Sequence, residues 1–154
     1  MARQLGHHDH TVGWICALPV ELTAAQEMLD EEHQDPPLNH NDSNIYTLGS
    51  IADHNVVLAC LPAGQTGNNS AAVVAVQMKN SFPAIRFGLM VGIGGGVPSR
   101  KADIRLGDVV VSQPGDGHGG VVQYDFGKSI PGNFKRTGFL NALPMILLAA
   151  PTEK

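Results

Sequence analysis

Two places in this 154-residue sequence carry residue types and spacings that could do chemistry: Glu21, in the run Ala17-Leu18-Pro19-Val20-Glu21, and a turn with four glycines within five residues, Gly92-Ile93-Gly94-Gly95-Gly96. A carboxylate just past a strand end can orient water or accept its proton, and it repels a phosphate dianion. The same glutamate also fits a solvated first helical turn, where a negative charge complements the helix dipole. A glycine-lined turn lets a ligand approach backbone N–H groups, yet tight turns use glycine for their own geometry. Two common phosphate cradles are excluded. In a dinucleotide fingerprint a third glycine would stand at Val97, and 98-PSRKADIRLGD-108 cannot open a long helix across Pro98 and Gly107. Neither this stretch nor 63-AGQTGNNS-70 has the Gly-Lys-Ser/Thr ending of a Walker loop.

Weaker candidates surround these. Thr66 lies between Gly64 and Gly67 ahead of a helix, so a pocket-lining residue and a helix-entry turn explain it equally. The histidines of HHDH (7–10) are dense, but no cysteine or carboxylate cluster at ligand spacing accompanies them, so no metal is expected and residues 1–10 read as a disordered tail. His118 is a lone loop histidine. Cys16 and Cys60 each sit inside an apolar run and read as reduced, buried, structural thiols.

The elements that must position these residues follow from patterning. TVGWICAL (11–18) reads as a strand, and Pro19 with Leu18, Leu22, Ala25 and Leu29 at helical spacing reads as a helix entered through proline. DEEHQDPPLNHNDSN (30–44) reads as a surface excursion, and 45–62 as two strands turning at His54-Asn55. A helix is expected over 68–80, with Ala71, Val74, Ala75 and Met78 on one face and Asn69 or Ser70 as its cap. FGLMVGI (87–93) and GDVVVS (107–112) read as strands buried on both faces, VVQYDF (121–126) as a short strand, and 139–150 as a helix start broken by Pro144. The fold class is therefore α/β, with a central, partly parallel sheet flanked by helices.

Composition bounds the function. With 43% hydrophobic and 16% charged residues the chain is that of an ordinary globular domain. Ten Lys and Arg and a formal net charge of −4 argue against a nucleic-acid partner, because a polyanion needs a basic face. No apolar signal core or membrane-length run occurs, so a soluble, cytoplasmic protein without membrane association is expected.

Taken together, 13-GWICALPVELTAA-25, 91-VGIGGGV-97 and 106-LGDVVVS-112 resemble the purine nucleoside phosphorylase and nucleosidase superfamily, including methylthioadenosine nucleosidases, in the version seen at the amino terminus of many fungal proteins. The likeness covers nearly all of residues 11–150. It implies a three-layer α/β/α domain with a central mixed sheet, normally longer than this chain, which is accordingly read as a truncated, amino-terminal portion. It also implies cleavage of the N-glycosidic bond of a purine nucleoside by water or phosphate, with no cofactor, in a homo-oligomer or a larger multidomain protein.

Residue by residue, the resemblance places Gly92, Gly94 and Gly95 against ribose and base. Ile93 stands where many members have a hydroxyl residue, Thr66 falls on a pocket-lining loop, and the Gly107-Asp108 pair ties loop amides together. Glu21 falls where the family's hydrolases keep a glutamate that orients the attacking water, whereas related phosphorylases place an arginine there for phosphate; water is therefore the favoured nucleophile. The family's Met-Glu pair for the ribose hydroxyls and its aspartate for the leaving base have no counterpart up to Lys154, so the chain alone is expected to be a poor catalyst. The alternatives are a phosphate-dependent phosphorylase, or a non-catalytic nucleoside-sensing or interaction module of a receptor-like protein.

Overall fold

Val12–Cys16 (β2) and His54–Cys60 (β5) carry apolar side chains on both faces, and the fold answers by placing a helix against each face. In β2, Val12, Trp14 and Cys16 pack with Val56 and Leu58 of β5 against Leu22 and Ala25 of the helix Pro19–Glu27 (α1). Ile15, Val57 and Ala59 pack the other way, with Val74 and Met78 of the helix Asn68–Ser81 (α2) and with Phe82 and Ile85 beyond it. The period of two along each strand thus separates two apolar clusters on opposite faces. Gly13 permits the closest approach, because a Cβ there would stand 2.7 Å from Met78 Sδ.

The computed structural model describes residues 3–34, 36–37, 41–100, 103–115 and 117–149. They fall into two compact units, Met1–Gly95 and Gly96–Lys154. The first holds a six-stranded mixed sheet formed by Arg3–Gln4 (β1), β2, Glu31–Gln34 (β3), Tyr46–Ile51 (β4), β5 and Phe87–Met90 (β6), in the order β1-β3-β4-β5-β2-β6. β5, β2 and β6 run parallel, β3/β4 and β4/β5 antiparallel, and β1 lies parallel to β3. Among the described residues no helix is long and apolar enough to cross a membrane.

Several expectations are corrected here. The tail reading does not hold for residues 3–10: β1 pairs with β3, His10 is fully buried, and the rings of His7, His10 and Tyr46 surround Phe82 at centroid distances of 5.3, 5.6 and 5.2 Å. Imidazole faces are apolar enough to pack on a phenyl ring, which a reading based on metal spacing overlooks. Residues 1 and 2 of that tail lie outside the described residues, as does Ala150 at the other end of the expected domain. The excursion 30–44 contains β3, with His33 buried, and the next hairpin turns at Ala52-Asp53 rather than His54-Asn55. Ala52 takes a left-handed φ of 50° there, and its N–H donates to Asp30 Oδ2 at 2.6 Å. In α2 the cap is Gly67, φ 88°, without a side-chain hydrogen bond from Asn69 or Ser70, and Ala75 is exposed.

In the second unit, 107–112 is not a strand, and Val109, Val110 and Val111 are exposed. An apolar run becomes a strand only when backbone partners are offered, and the run itself does not reveal them. VVQYDF is likewise irregular. The hairpin lies just after it, pairing Gly127–Ile130 (β7) with Asn133–Arg136 (β8) across Pro131-Gly132, where the glycine's φ of 74° supplies the positive angle a type II turn requires. One helical turn, Met145–Leu148 (α3), follows Pro144.

Phe82, fully buried where helix, sheet and amino-terminal segment meet, should dominate the packing. Phe82→Ala is expected to cost about 3–5 kcal/mol, whereas Val76→Ala on the exposed face of α2 should change stability by less than about 0.5 kcal/mol. Urea unfolding midpoints check this; a Phe82→Ala cost under about 1 kcal/mol would contradict the assigned core.

Candidate functional site

The three parallel strands bring most of the expected site residues to one edge of the sheet. Cys16 is in register with Cys60, and Ile15 with Met90, so β2, β5 and β6 end level. The pairing continues one step further, with the Leu61 N–H donating to the Cys16 carbonyl (3.0 Å) and the Val91 N–H to the Ile15 carbonyl (3.1 Å). The chain leaves β2 toward β3, β4 and β5 on one side, then returns through α2 to β6 on the other side. Loops diverge at the carboxyl end of such a strand, which is where open α/β sheets place ligands. The segment bearing Thr66 follows β5, Glu21 follows β2, and Gly92, Ile93, Gly94 and Gly95 follow β6.

Glu21 joins two of these segments. Its Oε2 accepts from the N–H groups of Ala17 and Leu18, each at 2.9 Å, and its Oε1 accepts from the Ile93 N–H at 2.7 Å. Leu18 is the N-cap of α1 but has no side-chain acceptor, so the only side-chain arm of the cap runs backward from Glu21, while the Glu21 N–H uses the Leu18 carbonyl (3.1 Å). The hydrogen bond from Ile93, then those from Leu18 and Ala17, hold the carboxyl below its ordinary value despite an opposing contribution from burial. Three of its roughly four acceptor sites are occupied, leaving one on Oε1. Such a carboxylate can orient a donor, but its low basicity makes it a poor proton acceptor.

Two glycines of the turn meet close neighbours: a Cβ at Gly92 would lie 2.8 Å from Glu21 Oε1 and 3.1 Å from its Cδ, and one at Gly96 would lie 2.6 Å from Ile104 Cγ2. Gly94 and Gly95 face open space, and neither has a left-handed φ. Ile93 projects outward, 77% exposed, so only its backbone serves the clasp. Thr66 is exposed at the same sheet edge, in the segment entering α2. Burial, and secondarily the Glu21 charge, push the Cys60 thiol up; burial leads likewise at Cys16, and both cysteines are free.

In the second unit Asp108 closes a turn, its Oδ2 accepting from the Arg105 N–H (2.8 Å) and its own N–H donating to the Arg105 carbonyl (3.1 Å). This is the amide-tying role expected of it. His118 lines an open depression of about 490 Å³ with Phe139, Leu140 and Asn141, and its Nδ1 accepts from the Gly120 N–H. None of the expected catalytic or nucleoside-facing residues lines that depression. Among the described residues no group of three or more His, Cys, Asp or Glu could hold a metal ion. The reading of sequence missed the buried pair His10 and His33; the only signal was a histidine followed by the β-branched residues Thr11 and Val12 and another within a short acidic strand, neither of which implies burial.

Over 149 residues the chain is 56% identical to a nucleotide-binding leucine-rich repeat (NLR)-like protein of Hyaloscypha variabilis, a match covering 95% of this chain and 15% of that protein. The chain thus spans a small part of the relative it matches. No family model and no solved structure matches it.

If Glu21 and Gly92 form one clasp, Glu21→Gln and Gly92→Ala should each cost on the order of 1–2 kcal/mol, because the amide turns an N–H toward an N–H and the methyl displaces the carboxylate. The double variant should cost at least about 0.5 kcal/mol less than the sum, and additivity within about 0.3 kcal/mol in urea titrations would sink the clasp. The pH dependence has a definite sign. Since the folded carboxyl titrates below its ordinary 4.5, wild type should exceed Glu21→Gln in stability above pH 4.5 and lose that advantage as pH falls through the lower folded value.

Proposed function

We propose that this chain is part of a three-layer α/β/α domain of the nucleoside phosphorylase type that takes a purine nucleoside at the carboxyl edge of β5, β2 and β6. The observation that carries this reading is the Glu21 carboxylate tying the end of β2 to the glycine turn after β6. That clasp fixes Ile93 and leaves Gly94 and Gly95 with open space where side chains would stand, so a flat base or a ribose can approach backbone there. Thr66 borders the same edge from the β5 side. The fourth acceptor site of Glu21 orients a water toward the anomeric carbon, while its charge disfavours a phosphate dianion. The reaction in the complete domain is hydrolysis of the N-glycosidic bond.

A second reading is favoured by one observation, the 56% identity to a segment forming 15% of an NLR-like protein. In that reading the domain is a nucleoside-sensing or interaction module of a larger protein, and the clasp shapes a binding surface without turnover.

Both readings require the ligand at the same edge, and base release separates them. Titrating the 154-residue chain with adenosine should shift the amide resonances of Thr66, Gly92, Ile93, Gly94 and Gly95; no shifts, or shifts confined to residues around His118, would overturn both. In the full-length gene product, base release that does not require phosphate and falls ~10²-fold or more in Glu21→Gln, through loss of the positioned water, supports the hydrolase. Ribose 1-phosphate as product would overturn water as nucleophile, and binding without base release would leave the sensing module.

A further inference from the structure

The segment 3–10 is held in part by a buried histidine pair whose hydrogen-bond roles follow from the Gly6 carbonyl once both rings are taken as neutral. His10 Nδ1 lies 3.2 Å from the Gly6 carbonyl, which can only accept, so Nδ1 carries the hydrogen. In neutral His10 the Nε2 is then bare and accepts from His33 Nδ1 at 3.3 Å. In a neutral His33 the Nε2 is then bare, and it is buried without a hydrogen-bond partner among the described residues. His7 repeats the pattern, with Nε2 donating to the Pro37 carbonyl (3.1 Å) and a buried, unpartnered Nδ1. The rings of His7 and His10 thereby pack on Phe82, and the ring of His33 packs edge-on against His10.

A proton entering this arrangement is costly wherever it goes. On His10 Nε2 it confronts the His33 Nδ1–H, and relief requires His33 to move its own hydrogen to Nε2, into a buried position with no acceptor. On His33 Nε2 it creates a buried cation whose ring neighbour is the His10 imidazole. The facing charged and titratable groups are Asp9, whose side chain accepts from the Gly6 N–H, His7, His33, and the Tyr46 hydroxyl, which donates to Asp42; Glu31 and Glu32 lie beside His33 in β3 but are exposed. Burial is the main cause holding His10 below its ordinary 6.5; the Gly6 carbonyl and Asp9 oppose it, and His33 and His7 add to it.

From this geometry we propose that residues 3–10 are a pH-released strap: docked on the sheet while His10 is neutral, and freed, with β1 leaving β3, when His10 takes up a proton in mildly acidic conditions. Among the described residues β1 pairs with β3 at Arg3–His33 and Gln4–Gln34, and Asn55 Nδ2 donates to the Asp9 carbonyl at 2.8 Å, so release must break these contacts as well. Release leaves β3 as a new edge strand. The sign follows from linkage: the released segment binds a proton at His10 near pH 6.5 and the docked one only below it, so docking weakens as pH falls beneath 6.5 and levels off below the docked value.

Hydrogen exchange of the 154-residue chain, corrected for the intrinsic pH dependence of exchange, tests this. Between pH 6.5 and the docked titration point, protection of amides in residues 3–10 and at His33 and Gln34 should fall about tenfold per pH unit, while protection of Val57 and Leu58 in β5 stays constant. His10→Gln retains an acceptor for His33 Nδ1–H without titrating, and should stay docked with no such slope; if it fails to dock at pH 7.5, the double variant His10→Phe, His33→Phe, which keeps aromatic packing on Phe82, replaces it. A pH-independent strap in wild type, parallel loss of protection in β5, or a slope surviving in either variant overturns the proposal.

Discussion

The first unit depends on β2 being buried from both faces while it is hydrogen-bonded on both edges. A strand in that position can tolerate no unpaired backbone group along its length, and β5 and β6 supply partners on its two sides. Its side chains need cover above and below, which α1 and α2 provide. Parallel neighbours cannot be joined by tight hairpins, so the connections become long crossovers that carry those helices. The edge that carries Glu21 and the glycine turn is a by-product of the same constraint, since parallel strands that end level send all of their outgoing loops from one side.

Glu21 ties this arrangement together at its most exposed end. Strand ladders stop at Leu61 and Val91, and past them the turn after β6 has little of its own to hold it. A carboxylate with two oxygens can bind donors from two directions at once, which a hydroxyl or a single amide oxygen does less well. Here one oxygen completes the amino-terminal end of α1 and the other reaches across to Ile93. The close seat at Gly92 then follows, because any side chain there would enter the carboxylate's space.

Much of this first unit was legible in the sequence. The apolar runs over β2 and β5, the proline entry into α1 and the Val74 and Met78 stripe of α2 each follow from local periodicity, which needs no knowledge of partners. Glu21 and the glycine turn were legible as separate features, but the hydrogen bond across 72 positions that joins them was not, since nothing in either stretch names the other. His10 and His33 were illegible for a related reason: an imidazole is polar by composition and becomes a core residue only when another ring and an acceptor meet it. The valines of 109–111 failed in the opposite direction, because apolar β-branched residues state a preference for a strand without supplying the backbone it would pair with.

The geometry also bears on how one carboxylate can serve both structure and chemistry. A general base must release its hydrogen bonds or keep a basic lone pair to take a proton, and each N–H bound to Glu21 lowers that basicity. Orientation makes no such demand. It requires a fixed acceptor with one lone pair free, and the three backbone donors that weaken Glu21 as a base are what fix it in place. Cleavage of a glycosidic bond through an oxocarbenium-like transition state relies on the electrophile more than on the strength of the nucleophile, so a positioned, weakly activated water can suffice there. A clasp that is strong as structure is therefore compatible with an orienting role of this kind, while the lowered basicity weakens Glu21 as a proton acceptor.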